Sequence, residues 1–216
     1  MDDASSVFDA SILTGPIANY PVADSFDRVR ERDYSTGDIP HLFVSSAVWD
    51  LPVGVGRARQ WHGVLGAVAS DWTIASLVTL QSGVPVAVTQ TTNANAFAGF
   101  GVQRPNLVGD PTLPADERTA SHWFNTTAFA AAPAFTLGSA SRNPVRGPSY
   151  RNVDLALTRR IAVGLSRSIE VRAEVFNLLN TVNLGAPNAV QGAANFGTIT
   201  TAFDPRVVQL ALKFMF

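Results

Sequence analysis

Cysteine is missing altogether, charge is scarce, and no long apolar run occurs. Lack of cysteine removes any cysteine pair for zinc, but it does not identify a compartment, because disulfide-free proteins are common everywhere. Charged residues make up only 15% of the chain, the net charge is -1, and nearly all the basic residues are arginines. The basic footprint of a nucleic-acid binder is therefore absent. No stretch approaches the roughly 18 apolar residues of a transmembrane helix, and the most apolar ones, near Val64 to Ala69 and Ile74 to Leu80, are short and split by Ser70-Asp71. Any membrane crossing must use strands. The amino end, Met1-Asp2-Asp3, has no positive charge and no apolar run after it, and Pro16, Pro21 and the acidic residues around Asp24 argue against a secretory signal peptide.

Catalytic patterns are lacking too. His41, His62 and His122 lie far apart, and neither His-Glu-x-x-His nor Gly-x-Ser-x-Gly occurs, so the expectation is a non-enzyme without metal or cofactor. Gly54-Val-Gly56 with Arg57 and Arg59 lacks the ending of a phosphate loop and reads as a turn. The charge run from Asp24 to Asp33 reads as a solvated loop.

What the chain does have is 46% hydrophobic content, ample for a core, and alternation. From Arg206 to Phe216, Val208, Leu210, Leu212, Phe214 and Phe216 fall on one face and Gln209, Ala211, Lys213 and Met215 on the other, because successive strand side chains point to opposite sides. The length matches the roughly 9 to 11 tilted residues of a membrane-spanning strand. A soluble edge strand with that face would invite aggregation.

Four further strands are predicted: His41 to Leu51, with uncertain facing; Trp72 to Gln81; Asn152 to Arg160; and Ser168 to Phe176. Val86 to Thr89 is expected to continue the second of these after a bulge at Ser82-Gly83 and Pro85. Ser168 to Phe176 also carries a helical stripe, Val171, Val175, Leu178 and Leu179, but strict alternation from Ile169 to Val175 favours a strand. A half-strand is expected near Ser6 to Leu13.

Residues 90–150 and 181–205, rich in Ala, Asn, Thr, Gly and Pro, read as long loops. Outer-membrane barrels place long loops outside and short turns on the periplasmic side. If Phe216 ends at the periplasmic rim, both long connections become external and 161–167 becomes a short periplasmic turn; 52–71 is the exception, too long for a minimal one. The predicted fold class is all-β, an antiparallel transmembrane β-barrel fragment of about five to six carboxyl-terminal strands. A partial strand and loop would occupy 1–40 and the barrel segment 41–216. Five strands cannot close a barrel, since about eight are needed around packed side chains, so the partners are expected upstream. The alternative is a soluble β-sandwich for binding or adhesion, with Trp72, Trp123 and Phe129 as a platform, but the turn rhythm of a sandwich is broken by the 90–150 stretch.

Several segments, in order, resemble the carboxyl-terminal barrel of TonB-dependent transporters of the Oar-like kind. They are His41-x-Phe43-Val44-x-Ser46 into Trp49-Asp50-Leu51-Pro52; Trp72 leading to Thr79-Leu80-Gln81-Ser82-Gly83-x-Pro85; Trp123-Phe124-Asn125-Thr126-x-Ala128-Phe129; Arg142-Asn143-x-x-Arg146-Gly147-Pro148; Asn152-x-Asp154-Leu155; and Arg172-Ala173-Glu174-x-Phe176-Asn177-x-x-Asn180. The resemblance implies an outer-membrane barrel of about 22 strands, plugged by an amino-terminal domain and energised by the TonB complex. The expected location is the cell outer membrane, and the expected partners are outer-membrane lipid, the barrel-assembly machinery and the absent upstream strands and plug, through which alone TonB would act. The resemblance also makes the terminal aromatics Phe214 and Phe216 the assembly signal.

Asp154, Glu170, Arg172, Glu174, Gln209 and Lys213 are expected to face the lumen, mainly pairing across strands. Trp123 and Phe129, in the long external loop, are the expected ligand contacts, since loops on rigid scaffolds usually carry recognition. Asn125-Thr126-Thr127 fits a glycosylation sequon that is treated as chance.

Overall fold

The structure, a computed structural model, describes residues 29, 31–54, 57–95, 102–164 and 167–216, leaving out the side chains of Leu65 and Ala67. The expected half-strand near Ser6 to Leu13 lies outside the described residues. The elements in chain order are β1 (Leu42–Asp50), α1 (Gly63–Ala69), β2 (Trp72–Gln81), β3 (Pro85–Val86), β4 (Thr89–Gln90), β5 (Asn106–Leu107), β6 (Phe129–Ala130), β7 (Val145–Arg146), β8 (Tyr150–Ala162), β9 (Ser168–Phe176), β10 (Val190–Gln191) and β11 (Val207–Met215). They fall into two compact units.

The first unit, residues 41–81, 150–182 and 204–216, is built on one five-stranded sheet in the order β1-β2-β8-β9-β11. Every neighbouring pair is antiparallel. Its strands are rich in Val, Ile, Leu, Thr and aromatics, which suit a pleated surface. β1 and β11 are the edges, and the barrel is not closed. The connection 52–71 is shaped by the short helix α1 and by a bridge between Val53 and Arg59. Two valines of α1, Val64 and Val68, are exposed.

The second unit comprises the described residues up to Pro40 together with 82–149 and 183–203. Where long loops were expected, it has a core of its own: Val88, Phe124, Ala128, Phe129, Ala140 and Val145 are buried, with Trp123 and Phe196 packed against them. Phe124, Phe129 and Phe196 meet edge to face, with centroids 5.2 to 5.8 Å apart, the arrangement that aromatic quadrupoles favour.

The expected continuation of β2 through Val86 to Thr89 does not occur. β3 pairs instead with β7, and β4 pairs in parallel with β10. Gly83 explains the departure, because a Cβ there would collide with the Gly147 carbonyl and only glycine permits that approach. The ladders β3–β7, β4–β10 and β5–β6 are only two residues long, so side-chain amides satisfy much of the remaining backbone. Gln103 accepts from the Ala94 N–H and donates to the carbonyls of Pro133 and Thr136. Gln90 accepts from the Ala132 N–H and donates to the Thr92 carbonyl. Asn125 accepts from both the N–H and the hydroxyl of Thr127, which makes the sequon-like triplet a local turn. These bonds answer the requirement that buried backbone groups be paired.

Candidate functional site

Register converts the alternation of single strands into two chemically different sheet faces. Residues paired across an antiparallel ladder share a face. One row therefore reads Trp49, Ile74, Leu157, Ala173, Leu210 across all five strands, and a second reads Trp72, Arg159, Val171, Leu212. Phe214, Ile169 and Ile161 continue the same face, and Phe43 and Leu80 lie on it near the opposite end. The facing of β1, undecided from sequence, is settled by Phe43 pairing with Leu80 and Trp49 with Ile74.

On the opposite face one row reads Asp50, Thr73, Thr158, Arg172, Ala211, and another reads Arg160, Glu170, Lys213. Glu174 stands opposite Gln209 in the next row of this face, on the far side of Arg172 from Glu170. Arg172 reaches Glu170 and Glu174 at 3.5 Å each, and Arg160 reaches Glu170 at 3.5 Å. Asp154, Glu170, Arg172, Glu174, Gln209 and Lys213 thus share one face. The contrast is strongest on β8, β9 and β11; Leu42, Val44, Val48 and Leu77 dilute the polar face at β1 and β2.

Arg159 and Arg151 are the cations that the register places on the apolar face, Arg159 opposite Trp72 and Arg151 opposite Leu80 towards the other end of β8; the surroundings of Arg159 are the more telling. Its guanidinium sits 5.8 Å from the Trp72 ring centroid and donates to the Val68 carbonyl at 3.0 Å, while Trp72 donates to the same carbonyl at 2.8 Å. Charge and indole are both drawn to the rim, as snorkelling side chains are.

Asp154 has a second task. Its Oδ1 accepts from the Asn177 N–H at 2.9 Å and from the Asn152 amide at 2.8 Å. Asn177, at φ 51, donates its side-chain amide to the Thr181 and Asp204 carbonyls and accepts from the Thr181 N–H. Asn180 accepts from the Arg206 N–H. The two segments Asn152-x-Asp154 and Asn177-x-x-Asn180 therefore form one clasp that leads the chain from β9 towards β11.

In the other unit, the Arg142 to Pro148 and Trp123 to Phe129 segments frame a cleft of about 330 Å³. Arg146 is held to Asp38 at 2.6 Å, donates to the Gly83 carbonyl and lies over the Tyr34 ring. Trp123 lines the cleft and donates its indole N–H to the Arg146 carbonyl at 2.9 Å. Phe129 is 6% exposed in the aromatic core, so a ligand contact there would require the cluster to open. Sequence reasoning named neither Tyr34 nor Arg118 here and quoted Asn143 only within a resembling segment, because these residues come from three segments without periodicity. Among the described residues no group of His, Asp or Glu could hold a metal ion.

Phe214 and Phe216 stack at 6.0 Å, and Phe216 is 96% exposed.

An antiparallel sheet with one apolar, aromatic-bearing face and one ion-paired face is the wall of an outer-membrane-type β-barrel. A family model described as an outer membrane beta barrel domain matches residues 1–209, and the chain belongs to that family. No curated protein and no solved structure matches the chain.

Proposed function

We propose that this chain forms wall strands of a TonB-dependent importer, with the apolar face against outer-membrane lipid and the polar face towards the lumen. The observation that carries the reading is the two-faced register of β8, β9 and β11, in which Leu210 and Leu212 are 77% and 74% exposed and alternate with Gln209, Ala211 and Lys213. Exposed leucines on a regular strand are unfavourable in water and favourable in lipid. Arg159 beside Trp72 supports the same facing, since an arginine near the interface costs only about 0 to 1 kcal/mol against roughly 2 to 4 at the midplane.

The open edges β1 and β11 support further strands on both sides, because unpaired backbone groups are not tolerated in hydrocarbon. In this reading the connections from β2 to β8 and from β9 to β11 are external. The resemblance of the ordered segments to Oar-like transporters supports energised uptake and a plug supplied by upstream sequence. The same resemblance supports Phe214 and Phe216 as the signal read during assembly.

Two measurements separate the layers of this reading. Outer-membrane fractions of the producing cells, probed with an antibody to this chain, should contain it as a heat-modifiable band; recovery only in the soluble fraction would overturn the membrane placement. Native protein extracted from those membranes should be retained on an immobilised carboxyl-terminal domain of TonB. A band in the outer membrane without retention would leave a barrel and remove TonB-dependent uptake.

A further inference from the structure

We propose that α1, with Trp61 before it, is an in-plane membrane foot, lying on the lipid side of the wall and seated in the headgroup-to-acyl boundary of the phospholipid leaflet at that rim. The inference rests on the membrane reading above and adds to it a lipid contact made outside the strands.

The helix is ill suited to water. Its sequence, Gly63-Val-Leu-Gly-Ala-Val-Ala69, contains no charged or polar side chain, and Val64 and Val68, one turn apart, are 81% and 62% exposed. A helix without a polar face needs a cover. It also has only seven residues, and isolated helices are marginal below about 12 to 15. Trp61, also exposed, stays beside it: a Cβ at Gly66 would collide with the Trp61 carbonyl, so the glycine lets that backbone lie against the helix.

The way α1 is held indicates what covers it. The Val68 carbonyl accepts from Arg159 Nη1 at 3.0 Å and from the Trp72 indole at 2.8 Å. Arg159 is 91 residues away in sequence, and the register pairs it with Trp72 on the apolar face. Two side chains of that face thus bring the end of α1 to its rim, not to the rim of the face that carries Arg160, Glu170 and Lys213. The exposed valines extend the apolar face past the start of β2. Among the described residues Arg159 forms no ion pair with a carboxylate, which suits a rim where lipid phosphates lie, and an indole N–H at the same place belongs to the interfacial belt. Two valines and an indole are too small a patch for a stable protein interface, which buries about 1,200 to 2,000 Å². They suit an interfacial helix, whose apolar face enters the boundary by about 5 to 10 Å. Residues 163–167 connect β8 to β9 at this same end, and such short turns are periplasmic, which makes the leaflet the phospholipid one.

The test uses the full chain refolded into vesicles of phosphatidylethanolamine and phosphatidylglycerol. Val64→Cys, Val68→Cys and Leu210→Cys, made singly, each give an otherwise cysteine-free chain one thiol for a bimane label. The bonds to Val68 use its carbonyl, so exchanging its side chain leaves them in place. Phospholipids bearing a nitroxide near the headgroup or near the acyl-chain end then quench the dye according to its depth. At positions 64 and 68 the shallow nitroxide should quench about twofold more than the deep one, as the depth of an interfacial helix requires. Quenching by neither would overturn the proposal, whether the dye reports water or, by a blue shift, a covering protein; stronger quenching by the deep nitroxide would overturn it too. Leu210→Cys separates the two readings. Quenching there by either nitroxide, with none at 64 and 68, removes the foot and keeps the wall, whereas no quenching at any of the three removes both.

Discussion

Asn177 closes a turn with a single side chain. The left-handed backbone that it adopts at φ 51 suits asparagine far better than alanine, and its amide ties Thr181 and Asp204 together. Asn177→Ala loses those bonds and adds the left-handed cost of about 1 to 2 kcal/mol, so a total loss of roughly 2 to 4 kcal/mol is expected with the unmade hydrogen bonds included. Asn177→Gly should recover about 1 kcal/mol of it by removing the Cβ. Urea titration in detergent micelles reads both, and equal losses would show that the backbone angle contributes nothing. Glu31 presents a harsher case. It pairs with Arg104 at 2.6 Å with both side chains buried, and Arg104 Nη1 already lacks a partner. Glu31→Ala strands a buried charge and should cost about 3 to 5 kcal/mol. An unchanged urea midpoint for the unit containing Arg104, followed by Trp123 fluorescence in a background with Trp49, Trp61 and Trp72 replaced by Phe, would refute this.

At the scale of elements, alternation was legible where strands are long and half-covered. Trp72–Gln81 and Ser168–Phe176 have the predicted bounds, and β8 runs slightly beyond its prediction at both ends. The helical stripe in β9 lost because its residues pair on both sides, with β8 and β11, and tertiary pairing overrides propensity. The unit with residues 82–149 was not legible as structure. A two-residue ladder has no period, and the bonds that hold it run from Gln90, Gln103 and Asn143 to backbone more than 25 residues away in sequence. The cleft was half-seen for the same reason: Trp123 stood out by type, whereas Asn143 mattered only through its partners. Face assignment can be tested on β11. Leu212 shares a face with Val171, and Lys213 stands opposite Glu170. Leu212→Arg should cost roughly 2 to 4 kcal/mol in a lipid-folding assay. Lys213→Glu places like charges across the ladder and should cost no more than about 1 kcal/mol. Similar small effects would reverse the faces.

At the scale of the molecule, the decisive feature is the pair of open edges. β1 and β11 flank a sheet of five strands, whereas roughly eight are needed to enclose packed side chains. Curling β1 onto β11 within one chain would leave no room for the ion-paired face formed by Arg160, Glu170, Arg172 and Glu174. In the proposed membrane wall the edges therefore pair with strands other than each other. The cysteine-free sequence makes this directly testable. Ser46→Cys combined with Leu77→Cys places two thiols on directly paired residues and should crosslink under oxidation in lipid vesicles. Ser46→Cys combined in turn with Gln209→Cys, Ala211→Cys or Lys213→Cys samples three registers on the same face of the opposite edge. None of these three should form an intrachain disulfide. Crosslinks between chains would identify a second copy as the edge partner, while an intrachain crosslink in any of the three would mean that five strands close upon themselves and that the sheet is not part of a wider wall.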